Sequence, residues 1–130
     1  MNIFNLNTAK SAVLALFLSS SLQGIVHSFG EFHNAWNTLI SSQPLIAVKF
    51  YLPGCPPCLN IAPVFHRLSE EFSGRVLCVE INAKEQKSLA GQLGFTRFPS
   101  FAYIKNGQKI AGHTGASEGQ IRSNLMALIS

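Results

Sequence analysis

Two short and almost wholly apolar runs constrain the fold of this chain more than any other feature. They are Leu45–Tyr51 and residues 76–82. Such runs, without polar alternation, are typical of strands that are buried on both faces of a sheet. Apolar residues at helical spacing follow each run, so strands alternate with helices. The sequence therefore predicts an α/β domain whose sheet is partly parallel and is covered on both faces.

The last two predicted strands form a hairpin. They cover residues 100–105 and 108–113, and the dipeptide Asn106-Gly107 between them favours a tight turn. Hairpin strands are antiparallel, so they add an antiparallel edge. The full pattern is βαβαβαββα, which predicts a central mixed five-stranded sheet flanked by four helices.

The helices are predicted from capping signals and apolar spacing. Ser28 and Ser117 each begin a helical pattern and have Glu or Gln three residues later, as in a capping box. Between them, a second helix carries Leu59 on its apolar face, and a third covers residues 84–93. Trp36 lies on the apolar stripe of the first helix, where we expect it to pack.

Composition excludes several classes of protein. Hydrophobic residues make up 47% of the chain and charged residues 12%, so it can bury enough apolar surface to fold and is not intrinsically disordered. The net charge of +4 comes from scattered Lys and Arg rather than a basic stripe, so we expect no nucleic-acid partner. Three cysteines are too few for a disulfide scaffold.

Residues 1–24 have the layout of a secretory signal peptide. A start with one charge, Lys10, precedes the apolar run 12–18 and a patch of small residues. This run is too short to span a bilayer as a helix. We expect export, to the bacterial periplasm or another exported space, of a folded domain over residues 25–130. The alternative is an N-terminal helix on a cytoplasmic protein.

Cys55 and Cys58 are the chemically informative pair, because they lie at the predicted junction of a strand with a helix. There, unpaired N–H groups and the positive end of the helix dipole stabilise a thiolate, the form of cysteine that attacks disulfides. Cys58 is close enough to attack a mixed disulfide formed at Cys55. This placement favours dithiol–disulfide chemistry.

Two other interpretations of the pair are half a zinc site and two core cysteines. Zinc needs about four ligands, and the histidines are scattered, so we expect neither a metal nor a cofactor. Pro53-Gly54 and Pro56-Pro57 surround the cysteines with residues typical of exposed loops, which argues against a core-only role. Cys78 lies within a predicted strand and is expected to be an inert core residue.

The motifs together resemble the thioredoxin family over residues 25–130. In chain order, the landmarks are Gly54-Cys55-Pro56-Pro57-Cys58, Pro63, Phe98-Pro99-Ser100, Ile104-Lys105-Asn106-Gly107 and Thr114-Gly115-Ala116. A lone Cys-x-x-Cys is a weak signal, but five landmarks in the same order are specific. The resemblance implies the thioredoxin fold, a kink at Pro63 and a thiol–disulfide oxidoreductase.

The resemblance also implies roles for individual residues. Cys55 would attack a substrate disulfide, and Cys58 would resolve the mixed disulfide. Pro99 would be a cis-proline that faces the cysteines, with the backbone of Phe98 pairing with an extended substrate. Gly115 and Phe98, together with the loop before Cys55, would form a shallow apolar rim.

The implied partners are protein disulfide or dithiol substrates and a protein that regenerates the cysteine pair. If the chain is exported, the regenerating partner would be a membrane electron donor, and if it is cytosolic, thioredoxin reductase. We expect a monomer. The alternative function is a binding module that holds a partner between Phe98 and Gly115, with incidental redox chemistry.

Two departures from the family pattern adjoin the cysteines. Gly54 stands where the family usually has Trp, so we expect a flatter rim with less apolar surface. The dipeptide between the cysteines is Pro56-Pro57, and Pro56 removes one N–H from the start of the helix. We expect these three residues to border the substrate and one donor to the sulfur of Cys55 to be missing.

The third departure is an exchange of charges. The family typically has a buried Asp six residues before the first Cys and a Lys on the next strand, where this chain has Lys49 and Glu80. We predict that they form a buried ion pair beneath Cys58, and that Glu80, or a water it holds, takes the proton of Cys58. The alternative is that Lys49 extends its ammonium to solvent and Glu80 lies in water.

Overall fold

The computed structural model describes residues 26–28, 40 and 43–130. In this part of the chain, five strands form one sheet in the order β1-β3-β2-β4-β5. The strands are β1 (Val26–Ser28), β2 (Leu45–Tyr51), β3 (Leu77–Asn82), β4 (Ser100–Lys105) and β5 (Gln108–Thr114). The helices described with them are α1 (Pro56–Glu71), α2 (Lys87–Gln92) and α3 (Glu118–Ile129). The predicted α/β architecture is confirmed.

The sheet is mixed, and helices cover both of its faces. Strands β1, β3 and β2 run parallel, whereas β4 is antiparallel to β2 and to β5. Successive side chains of β2 lie on opposite faces. Ala47 packs with apolar residues of α1 and α3, while Val48 and Phe50 pack on the α2 side with Leu89. Lys49 alternates with Val48 and therefore lies on the α1 face.

Two predictions fall on residues outside the described part of the chain. They are the signal peptide over residues 1–24 and most of the first helix, including Trp36. Ser28, predicted to begin that helix, is the last residue of β1. Among the residues that the structure does describe, no helix is both long enough and apolar enough to cross a membrane.

Helix α1 begins at Pro56 and continues through Pro63. The prediction that Leu59 lies on its apolar face is wrong, because this side chain is 63% exposed. Cys58 takes the inward position in this turn, and the following residue points about 100° away around the helix. Leu59 therefore lies on the surface, next to the cysteines.

Helix α2 is shorter than the predicted segment 84–93. The side chain of Asn82 accepts the N–H of Lys84 at 2.8 Å, and its backbone carbonyl accepts the N–H of Gln86 at 3.0 Å. These bonds hold the residues after β3 in turns. The helix therefore begins only at Lys87.

The hairpin and the last helix form as predicted. Asn106 and Gly107 have φ values of 51° and 83°, the left-handed conformations that this tight turn needs. The Ser117 hydroxyl caps α3 by accepting the N–H of Gln120 at 3.2 Å. Between these two elements, the chain leaves β5 directly into Gly115.

Candidate active site

The two cysteines lie where β2 is connected to α1. Cys55 is the N-cap of α1, and Pro56 and Pro57 occupy the first helical positions. Neither proline carries an N–H. The first N–H of the helix therefore belongs to Cys58, and it is donated to the sulfur of Cys55 at 3.4 Å. The expected loss of a donor at the helix start is present.

The two thiols differ in exposure. Cys55 is partly exposed, whereas Cys58 is buried. Burial, and then the hydrogen bond with Cys55, raise the pKa of Cys58 to about 11, while the charge of Lys49 acts in the opposite direction. An accessible sulfur thus lies beside a buried thiol that holds its proton at neutral pH.

The loop that precedes β4 lies against Cys55. The Phe98–Pro99 peptide bond is cis, as predicted. The carbonyl oxygen of Phe98 accepts a hydrogen bond from the Cys55 sulfur at 3.7 Å. The N–H of Gly115 donates to the carbonyl of Pro99 at 2.9 Å. The structure therefore brings the cysteine pair, the proline loop and the residue after β5 together.

The surface around the cysteines differs in part from the predicted rim. The side chain of Phe98 is partly buried against the core on the α2 face, so its carbonyl rather than its ring is directed at the sulfur. Two exposed leucines provide apolar surface near the cysteines: Leu52 precedes the pair in the sequence, and Leu59 follows it. Exposed residues of the same segment are Gly54, Pro56 and Pro57.

Lys49 and Glu80 form the predicted ion pair. The Nζ of Lys49 lies 2.9 Å from Oε2 of Glu80 and 3.3 Å from the backbone carbonyl oxygen of Cys58. Their positions are register partners on the parallel strands β2 and β3. Lys49 is 2% exposed and Glu80 17%, so the alternative of an ammonium extended to solvent is wrong. The cation, rather than the carboxylate, contacts Cys58.

His66 also contacts Glu80, and this contact was not predicted from the sequence. Its Nε2 lies 3.5 Å from Oε1 of Glu80, and its side chain is 54% exposed. His66 follows Cys58 by eight residues, which places it two turns further along the helix and about 80° around its axis from Cys58, towards solvent. That spacing, with an acidic residue in the neighbouring strand, is the signal that could have found it.

Cys78 lies in the core on the α1 face of the sheet, as expected for a packing residue. Burial raises its pKa to about 12, so it remains a thiol. Across residues 43–130, no three His, Cys, Asp or Glu side chains lie close enough together to hold a metal ion.

One family model covers most of the chain. It is that of thioredoxin, and it matches residues 28–127. The chain belongs to the thioredoxin family. Within this family, thioredoxin from Haemophilus influenzae is 36% identical over 80 residues, which are 62% of this chain and 75% of that protein. Thioredoxin from Equus caballus is 30% identical over 104 residues, which are 80% of this chain and 96% of that protein.

Solved structures agree with this assignment. The crystal structure of thioredoxin NaTrxh from Nicotiana alata has a TM-score of 0.75 and 26% identity, and the match covers 86% of this chain and 99% of that one. Thioredoxins are thiol–disulfide oxidoreductases, and so is this chain. Its substrates are protein disulfides, and a reductase-type partner regenerates it.

Proposed function

We propose that Cys55 is the attacking cysteine of this thioredoxin-family enzyme and that Cys58 resolves the mixed disulfide. The thiolate of Cys55 attacks one sulfur of a substrate disulfide, and the other sulfur leaves as a thiolate. Cys58 then attacks the sulfur of Cys55, which releases the substrate as a dithiol and oxidises the pair to a disulfide. The difference in exposure between the two sulfurs carries this assignment, because only the outer one is open to a protein substrate.

The Lys49–Glu80 pair acts in the second step. Cys58 must lose a proton before it attacks, and its raised pKa makes that loss slow without a base. Glu80 accepts the proton of the Cys58 thiol, directly or through a water, while the ammonium of Lys49, hydrogen-bonded to the backbone carbonyl of Cys58, keeps its charge. The result is a thiolate beside a cation, with the proton on the carboxyl of Glu80.

The substrate lies against the proline loop. The carbonyl of Phe98 marks the place where an extended backbone passes the sulfur of Cys55, with Pro99 and Gly115 beside it. The exposed side chains of Leu52 and Leu59 contact apolar residues on either side of the substrate disulfide. These leucines take over part of the role that Trp has before the first cysteine of relatives.

The decisive experiment compares cysteine variants in an insulin-reduction assay. Cys55→Ser should lose activity entirely, because no sulfur remains to attack. Cys58→Ser should lose turnover but accumulate a mixed disulfide with insulin, detected by mass spectrometry without reductant. Cys78→Val is the matched control and should keep full activity. Equal activity of the Cys55→Ser variant and the wild type would contradict the assignment.

The binding-module alternative is not favoured, because the relatives are thioredoxins and the cysteine spacing of the active motif is present. The same assay addresses it directly. If the domain is a binding module with incidental redox chemistry, Cys55→Ser should bind a partner as tightly as the wild type does. The wild type should then show no burst of insulin reduction.

We propose further that residues 1–24 direct export and that the domain works in the bacterial periplasm. The support is the order of Lys10, the apolar run 12–18 and the small residues after it. In that compartment a membrane electron donor, rather than a soluble thioredoxin reductase, would return the cysteine pair to dithiols.

The export proposal is tested by expressing the full chain in a bacterial host and measuring the molecular mass of the protein in the periplasmic and cytoplasmic fractions. The expected product is a periplasmic protein without the first residues of the chain. Leu16→Arg, which breaks the apolar run, should leave the uncut chain in the cytoplasm. An uncut wild-type chain in the cytoplasm would contradict export and favour a cytosolic reductase as partner.

A further inference from the structure

The carboxylate of Glu80 connects two basic side chains that differ sharply in exposure. Its Oε2 lies 2.9 Å from Nζ of Lys49, which is 2% exposed, and its Oε1 lies 3.5 Å from Nε2 of His66, which is 54% exposed. The Lys49 ammonium in turn contacts the carbonyl of Cys58. The three side chains therefore form a row from the backbone of the buried Cys58 to solvent.

We propose that His66 is a positioning residue at the solvent end of a proton path that serves Cys58. It acts through Glu80 and touches neither the substrate nor the reacting sulfurs. The inference rests on the function proposed above, in which Cys58 attacks the mixed disulfide. It adds the route by which the proton leaves the protein.

The step balances without any further reactant. The thiol proton of Cys58 moves to the carboxylate of Glu80, directly or through a water, while Lys49 stays an ammonium beside the new thiolate, and the carboxyl proton then moves to the imidazole of His66. The imidazolium releases that proton to water. Meanwhile the Cys58 sulfur forms a bond to the sulfur of Cys55, and the bond between Cys55 and the departing thiolate breaks. The two cysteines are oxidised, and the substrate disulfide is reduced.

The chemistry of the surroundings fits an imidazole in this place. Imidazole accepts and releases protons near neutral pH, whereas guanidinium and ammonium groups hold theirs. Among the described residues, Glu80 on β3 is the charged group in contact with His66, with Lys49 behind it on β2. On α1 itself, Arg67 is directed to Glu118 at 3.0 Å. Glu70, one turn further along α1, is exposed.

Stopped-flow mixing of the reduced protein with equimolar dithionitrobenzoate separates the two steps. Attack by Cys55 releases the first coloured nitrothiobenzoate, and attack by Cys58 on the mixed disulfide releases the second. The two phases are followed from pH 5.5 to 8.5 in wild type, His66→Gln, His66→Ala and Arg67→Gln. Arg67 is the matched control, because it adjoins His66 on the same helix and has the same exposed fraction of 54%.

The first phase should be unchanged in both variants. In His66→Gln, the second phase should slow about fivefold above neutral pH, less than the full effect of a general base because water can substitute in part. Imidazole buffer should restore the rate of the second phase in His66→Ala. Arg67→Gln should match the wild type, and imidazole should not change its rate.

The proposal is overturned if the second phase of His66→Gln keeps the wild-type rate and pH profile. It is also overturned if Arg67→Gln slows the phase equally, or if imidazole restores nothing. Failure of the proposed function has a different signature. In that case, the second phase would be absent from wild type or would persist in Cys58→Ser.

Discussion

Lys49 is held almost out of water, and its charge is balanced by one carboxylate. Burying a cation without a partner is costly, since the charge loses its hydration and gains nothing in return. The pair with Glu80 at 2.9 Å removes that cost. The stability of the domain therefore depends on the two residues being present together.

A double-mutant cycle tests this dependence. Lys49→Met and Glu80→Met should each lower the free energy of unfolding by about 3 kcal/mol, because each leaves the other charge without its partner at 2.9 Å. The double variant should lose less than either single one, since both charges are gone. Urea denaturation at neutral pH measures all four proteins. Additive losses would show that the two side chains do not stabilise each other.

An exposed ion pair provides the control for that cycle. Arg122 forms hydrogen bonds to Glu71 across the α1–α3 contact, and both side chains are open to water. Arg122→Gln should leave the free energy of unfolding close to the wild-type value, because water already screens the pair. If Arg122→Gln lowers the free energy of unfolding as much as Lys49→Met or Glu80→Met does, removal of a charge by itself would explain the losses in those variants.

The role of a single residue can be predicted from sequence when that residue interrupts the pattern of its segment. Lys49 and Glu80 stand out because they interrupt apolar strands, and a shared face follows from strand alternation. His66 is a polar residue on the exposed side of a helix, so nothing in the sequence pattern distinguishes it. Its contact with Glu80 depends on how α1 is rotated over β3, which only the packed structure defines.

At the scale of elements, the hairpin turn makes a specific demand on its glycine. Gly107 has φ of +83°, whereas Gly91 lies in α2 with open space around it. Gly107→Ala should lower the free energy of unfolding by about 1 kcal/mol, because a Cβ opposes the left-handed conformation. Gly91→Ala should raise it by roughly 0.5 kcal/mol, because alanine restricts the unfolded chain and favours helix.

Thermal unfolding of the two alanine variants provides the test. The same chemical change should shift the melting temperature in opposite directions. Shifts of the same sign would show that backbone conformation does not decide the outcome at these positions.

The elements that sequence predicted best are those with strong local signals. Asn106-Gly107 and Ser117 determine their own turn and cap, so the hairpin and α3 agree with prediction. Helix α2 is shorter than predicted because residues 83–86 form turns on the side chain and the carbonyl of Asn82 before the helix begins. Periodicity alone could not reveal those turns.

For the molecule as a whole, buried thiols contribute to the response to alkaline pH, as does Tyr103, whose pKa is also raised by burial. Burial raises the pKa of Cys58 to about 11 and that of Cys78 to about 12. In the unfolded chain these thiols ionise near pH 9, so the unfolded state releases protons that the folded state keeps. The thiols therefore lower the free energy of unfolding of the reduced protein as the pH rises from about 9 towards 12, the range between their unfolded and folded pKa values.

Denaturation of reduced protein at a series of pH values checks this fall. Cys78→Val removes one of the two buried thiols and should make the decline shallower. The oxidised protein, whose Cys58 has no proton to lose, should also decline less steeply. A pH-independent stability in the reduced wild type would contradict the raised pKa values.

The topology of the whole molecule could be predicted because five landmarks in order define a known arrangement of strands and helices. What could not be predicted is how the outer helices meet. Arg122 on α3 reaches Glu71 on α1, a pair separated by 51 residues. Contacts of this kind follow from the packing of complete elements and leave no pattern in either local segment.

The two consecutive prolines after Cys55 also decide how this site can be observed. Residues 56 and 57 contribute no amide signal to a proton–nitrogen NMR spectrum, since neither has an amide hydrogen. The amide of Cys58, whose hydrogen is directed at the sulfur of Cys55, is then the nearest backbone resonance inside the helix. That one peak thus reports on the oxidation state of the pair, and in protein labelled uniformly with nitrogen-15 it can be followed during turnover without a probe attached to either sulfur.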